Sequence, residues 1–337
     1  MLPVLEPDSG VFELNSSSIP VFYRINLYLV RVNYRTTSNH IILRIMNVKI
    51  LKTAVVCVLL SCFCSFSPKE EWTSLLDKDL TQWEMYMSFE HKPGYHGEKP
   101  LDEAGNPIQP IGYNKNVKNV FSVIEQDGIP VLRISGEIYG CVYTKQAFEN
   151  YHLKMKVKFG TKKWNPRLNE PMDSGLLYHS HGECGVDYWR SWMQSHEFQV
   201  MEGGFGDYWR IANTGATIKM HDPEANNEKA NFDPNGIATY MGADGTRGGF
   251  VQFSEDREKV GDWNTIELIC FGDKSIHIVN GHVVMALSGS VYKDGKDLKP
   301  LTKGKIQLQS EAAEVFYKEI QIKNIKELPS EYKQFIQ

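Results

Sequence analysis

The sequence predicts an all-β fold, a sandwich of two stacked antiparallel sheets. Period-two alternation recurs along the chain, clearest in "LKMKVKF", where Leu153, Met155, Val157 and Phe159 point one way and Lys154, Lys156 and Lys158 the other. Tight-turn signals divide these runs, at Asp127-Gly128, Asp244-Gly245, Gly272-Asp273, Asn280-Gly281 and Asp294-Gly295. Helical periodicity is nearly absent. Strands with one polar and one apolar face bury the apolar one against a second sheet.

Residues 1–45 contain four arginines and no lysine, whereas the whole chain of 337 residues carries 37 basic residues, most of them lysine. We read this break as an upstream extension from a misassigned start. From Met46 the chain reads "MNVKILKTAVVCVLLSC". Lys49 and Lys52 give a positive end, Thr53 to Ser61 are mostly apolar, and Leu59-Leu60-Ser61-Cys62 resembles a lipobox. Residues 46–61 are thus expected to be a lipoprotein signal peptide and Cys62 the site of lipidation. The apolar run is too short to span a bilayer comfortably. The expected location is the cell envelope, as a periplasmic or outer-membrane lipoprotein anchored to the membrane through Cys62. Residues 62–70 form a tether, and residues 71–328 one domain.

Further strands are expected at 263–271, 275–279, 282–287, 305–309 and 315–325, with a type I′ hairpin at Asn280-Gly281 between two of them. Residues 213–262, rich in Asn, Asp and Gly, read as a long loop across one face. The six cysteines show no CxxC spacing and no evident disulfide framework, so Cys141 and Cys270 read as single buried thiols. The formal charge of −4 gives no footprint for nucleic acid. Seven tryptophans and sixteen tyrosines suit carbohydrate binding, and equally an aromatic β-sandwich core.

The chemistry concentrates in "WMQSHEFQVMEGGFGDYW", residues 192–209. Alternation puts Glu197, Gln199 and Met201 on one side and Phe198 and Val200 on the other. Glu202 falls with Phe198 unless a bulge near Met201 swings it beside Glu197. With that bulge the pattern resembles the E-x-D-x-x-E strand of laminarinase-type glycosidases, with Gln199 where their aspartate stands. Asp207 adds another carboxylate. His179 and His181, two residues apart, share a strand face and with Cys184 or Asp187 could hold a divalent metal or polarise a carbonyl; local hydrogen bonding is the plainer reading. Trp189, Trp192 and Trp209 offer flat faces for sugar rings, at least one of them belonging to the core. Arg190 and Arg210 flank them. On a late strand Gln309 and Glu311 could join the same face, while Gln307 reads as solvent-exposed.

"EWTSLLDKDLTQW", "DSGLLYH", "HEFQVMEGGFGDYW", "GDWNTIELICFGDKSIHIVNGHVV" and "GKIQLQSEAAEVFYKEIQIKNI" together resemble, in order, the 3-keto-disaccharide hydrolase domain family. The resemblance runs from about Glu71 to Leu328. It implies a concanavalin A-like jelly-roll sandwich and a substrate already oxidised at sugar C3. A 3-keto group acidifies the C2 hydrogen, so the C1–O bond can break by elimination followed by hydration. That route needs a base for C2–H, a holder for the enolate oxygen and an acid for the leaving group. The resemblance implies Glu197 as base or acid, Gln199 as a hydroxyl contact, Glu202 or Asp207 as the second carboxyl group, and His179 or His181, with or without a metal, at the keto oxygen. A conventional retaining glycosidase and a non-catalytic sugar-binding lipoprotein are the alternatives.

Overall fold

The computed structural model describes residues 71–95, 97–186, 191–221, 230–242 and 248–336. The upstream extension, the signal peptide, Cys62, Trp189 and Arg190 lie outside the described residues.

The described strands, in chain order, are β1 (Thr73–Ser74), β2 (Trp83–Met87), β3 (Gly112–Tyr113), β4 (Phe121–Gln126), β5 (Ile129–Ile134), β6 (Gly140–Thr144) and β7 (Tyr151–Lys163). The middle of the chain forms β8 (Asp173–His181), β9 (Gln194–Met201), β10 (Tyr208–Ile211), β11 (Thr214–Met220), β12 (Ile237–Met241) and β13 (Phe250–Val251). The rest forms β14 (Asn264–Phe271), β15 (Lys274–Val279), β16 (His282–Asp294), β17 (Asp297–Pro300), β18 (Lys305–Ser310) and β19 (Ala313–Asn324).

They build the jelly-roll sandwich of two antiparallel sheets. One sheet runs β12-β11-β16-β15-β14-β7-β19-β5-β4, with β1 on β19 and β17 on β16; the other runs β13-β10-β9-β8-β18-β6-β2-β3. Alternation explains the stacking. In β7, Leu153, Met155 and Val157 are buried while the intervening lysines are not. Their partners include Leu176, Phe198, Val200 and Leu308 of the other sheet. Each such side chain contributes roughly 1.5–3 kcal/mol by leaving water.

Polar groups also cross the interlayer. The Tyr178 hydroxyl lies 3.0 Å from His277 Nε2 and 2.8 Å from Ser275 Oγ, and His277 Nδ1 meets the Gly206 carbonyl at 2.8 Å. Burial drives His277 down to about 3, so it is neutral at physiological pH.

The hairpin forms as expected: Asn280 and Gly281 have φ of 49° and 85°, and Val279 pairs with His282. The long-loop reading of 213–262 needs correction. This stretch contains β11, β12 and β13, and β11 lies between β16 and β12. In "TGATIKM" Ala216, Ile218 and Met220 are buried at every second position, but the run is short and its Asn- and Asp-rich flanks hide it.

Candidate active site

Strands that give alternate residues to the core give the others to the opposite sheet face. On β9, Phe198 and Val200 enter the interlayer while Glu197, Gln199 and Met201 line a cleft of about 400 Å³ on the outer face. Asp173 at the start of β8, Gln309 of β18 and Glu311 just beyond it line the same cleft. Register aligns them: Gly175 sits opposite Gln199, and Asp173 bridges to Glu311.

The connection between β7 and β8 supplies the counter-charge. Arg167 Nη2 lies 2.8 Å from Asp173 Oδ2, and Nη1 lies 3.4 Å from Glu311 Oε1. Gln199 Nε2 donates to Asp173 Oδ1 at 3.1 Å. One guanidinium cannot neutralise two buried carboxylates. Burial pushes Asp173 up to about 6 and, with the Asp173 charge adding to it, Glu311 up to about 8. Near neutral pH the pair therefore holds a proton, and the guanidinium, nearer to Asp173 than to Glu311, favours the charge on Asp173 and the proton on Glu311.

Gly175 makes room at the centre. A Cβ there would stand 2.3 Å from Glu197 Oε1 and 2.5 Å from Gln309 Oε1, so a bare backbone is what lets these two side chains converge. Glu197 is 4% exposed and Gln309 1%. Among the described residues neither end of the Gln309 amide has a hydrogen-bond partner. Leaving a buried amide unsatisfied is costly, so it is poised for a ligand oxygen or hydroxyl.

Aromatic groups bound the cleft. Trp209 is partly exposed, and its ring centroid lies 4.7 Å from that of Phe250. Trp192 also faces the cleft but is nearly buried, its Nε1 donating to the Gly140 carbonyl at 3.3 Å. Arg210 lines the wall and donates to the Ala212 carbonyl at 3.1 Å.

Other sequence candidates lie elsewhere. Glu202 does not join Glu197, because β9 keeps its parity through Met201. The Glu202 N–H donates to the Met172 carbonyl at 3.0 Å, its carboxylate accepts the Met172 N–H at 3.0 Å, and the side chain faces Phe205 and Glu258. The Asp207 carboxylate accepts the Phe253 N–H at 2.8 Å and lies off the cleft lining. His179 is buried against the rings of Tyr151 and Tyr178, with Nδ1 3.1 Å from the Leu301 carbonyl. His181 packs on Tyr292 and lies 3.2 Å from Gln194 Nε2. A register shift between Tyr178 and His181 ends the regular alternation there. Among the described residues no three His, Cys, Asp or Glu side chains gather to hold a metal ion; Asp187, a further ligand that the sequence offers, lies outside the described residues. Gln307 is corrected too. It is fully buried, donating to Ser180 Oγ at 2.8 Å and accepting from the Met193 N–H at 3.1 Å.

Sequence reasoning missed Arg167, Asp173 and Gly175 as positions that shape this cleft. The last two stood inside "DSGLLYH", where a carboxylate and a glycine share a strand face. Arg167 lies in an irregular connection with no period to expose it.

The profile of the 3-keto-alpha-glucoside-1,2-lyase-like domain family matches residues 71–323. The chain belongs to this family. Family membership makes it a carbohydrate-active, glycosidase-like protein. Among curated proteins it has no significant match. Among solved structures it is similar to a candidate glycosyl hydrolase from Parabacteroides distasonis, at 18% identity and a TM-score of 0.37, over 76% of this chain and 100% of that one. It is also similar to the Bacillus licheniformis β-glucanase, at 7% identity and a TM-score of 0.36, over 77% and 100% of the two chains. The carbohydrate-binding module CBM66 from Bacillus subtilis is similar at 10% identity and a TM-score of 0.35, over 60% and 92%. At such distances the site's chemistry rests on its own residues.

Proposed function

We propose that the protein cleaves the C1–O bond of 3-keto-glycosides by elimination across C1 and C2, followed by hydration. The observation that supports this best is the union, in one cleft, of Glu197 with a proton-bearing Glu311 and the open amide of Gln309.

In this reading Glu197 removes the C2 proton that the neighbouring ketone has made acidic. The C–H electron pair forms the C2–C3 enolate, whose oxygen the Gln309 amide receives as a hydrogen-bond donor. The enolate then re-forms the ketone, C1=C2 forms, and the C1–O pair leaves with the aglycone. Glu311 delivers its proton to that oxygen. Addition of water, hydroxyl to C1 and proton to C2, gives the free 3-keto sugar. Gln199, fixed by Asp173, contacts a ring hydroxyl, and the Trp209–Phe250 pair carries an apolar ring face.

The test uses a glucoside and its 3-keto derivative, each made with hydrogen or deuterium at C2. Aglycone release from the keto compound alone, slowed by deuterium and abolished in Glu197→Gln, supports the proposal. Release from the plain glucoside without an isotope effect would replace it with ordinary displacement, and binding without turnover would leave a sugar-binding protein.

Location forms part of the proposal: an exported lipoprotein held by Cys62, its start at Met46. Fatty-acid labelling lost in Cys62→Ala supports this. Cellular peptides from before Met46 would overturn the start.

A further inference from the structure

Three of the cysteines lie among the described residues, all buried and none in a disulfide. Two are neighbours that sequence spacing did not reveal: Cys141 Sγ lies 4.0 Å from Cys184 Sγ. Cys141 is on β6, opposite Gln309 of the cleft. Cys184 is in the connection between β8 and β9. We propose that Cys141 and Cys184 form a regulatable disulfide that fastens this connection to the sheet beside the cleft.

Both residues are already held by their surroundings. The Cys184 N–H donates to the Tyr113 hydroxyl at 2.9 Å. The Cys141 thiol donates to Gln307 Oε1 at 3.3 Å, and the Met193 N–H donates to that same oxygen. The connection's two ends are tied together, because the N–H groups of Gly185 and Val186 donate to the Trp192 carbonyl at 3.1 and 3.0 Å. A bond to Cys184 therefore restrains Trp192, a wall of the cleft. Bonding needs the sulfurs to close from 4.0 Å to about 2.05 Å.

Exposure sets the order of the chemistry. Cys184 retains 8% exposure and Cys141 none. The Cys184 thiolate attacks an external disulfide, such as oxidised glutathione, forming a mixed disulfide and releasing one thiol. Cys141 loses its proton and attacks the Cys184 sulfur, releasing the second thiol. Two protein thiols are oxidised and one external disulfide is reduced to two thiols. Cys270 has no place in this exchange.

The test is incubation of the native full chain with oxidised glutathione, then quenching, denaturation, alkylation and peptide mapping. The expected product links the Cys141 and Cys184 peptides, lighter by two hydrogens, with Cys270 still alkylated. The oxidised protein should melt higher by on the order of 5 °C. Cys184→Ser and Cys184→Ala should each remove the link and the shift. Alkylation of both cysteines, capture of Cys184 only as its glutathione adduct, or a shift that survives both variants would overturn the proposal.

Discussion

Arg167 Nη2 lies 2.8 Å from Asp173 Oδ2, with both side chains largely withdrawn from water. Removing the guanidinium strands a buried carboxylate and leaves Glu311 beside it. We predict that Arg167→Met destabilises the fold by about 3–5 kcal/mol. Without the arginine, the folded-state pKa values of Asp173 and Glu311 stand further above their unfolded values. Stability is then retained at low pH and lost as pH rises. Denaturant titrations at pH 5 and pH 8 should show the larger deficit at pH 8. Equal deficits would remove the charge-compensation argument.

On the proposed mechanism, the proton on Glu311 should give activity a basic limb. Burial holds this group up to about 8, so turnover of a 3-keto-glycoside should fall as pH rises through about 8. Glu311→Gln has no acid proton and should lower kcat by roughly 10²-fold or more. Its remaining activity should lack that limb. A basic limb unchanged in the variant would assign it to another group.

Gly175→Ala tests the convergence of Glu197 and Gln309 with a single methyl group. Both side-chain oxygens must move, because the added carbon would stand 2.3 and 2.5 Å from them. Displacement of about 1 Å can cost on the order of 10²-fold in rate. We expect that loss in kcat/KM while circular dichroism and ligand-free melting show a folded protein. Full activity would place the chemistry elsewhere in the cleft.

Asp207 offers the converse case. Burial raises it from 3.8 to about 7, and it accepts a backbone N–H outside the cleft lining. The folded protein therefore binds a proton across that window that the unfolded chain releases. The resulting stability is present below the window and lost as pH rises through it. Asp207→Asn keeps an acceptor for Phe253 without titrating, so its melting temperature should decline less than wild type between pH 5 and pH 8. Turnover should be little changed. A loss comparable to that of Glu197→Gln would make Asp207 a member of the catalytic set.

The layered fold could be read from alternation, since the side-chain period of β7, β9 and β18 is local and survives in one dimension. The same period put Glu197 and Gln199 on one face of β9, and Gln309 and Glu311 on one side of β18; that these faces meet follows from the pairing of both strands with β8. The period could not place Arg167, whose meeting with Asp173 depends on how an irregular connection returns over the sheet. Nor could it decide Glu202: a bulge changes parity without leaving a mark in residue type, and hydrogen bonds to Met172 hold that strand regular. β11 stayed hidden because its alternating run is short and its Asn- and Asp-rich flanks read as loop. Cys141 and Cys184 are 43 residues apart and meet only through tertiary folding.

Glu197 and Phe198 are successive residues, yet one faces the cleft and the other the hydrophobic interlayer. A one-residue insertion or deletion within β8, β9 or β18 would exchange those environments along the strand, burying carboxylates and exposing phenylalanine and valine. The cleft floor can therefore diversify only by substitution, at positions whose neighbours are already committed to holding the molecule together. Length variation is confined to the connections between strands, so relatives of other specificity should differ there while keeping the spacing of the floor.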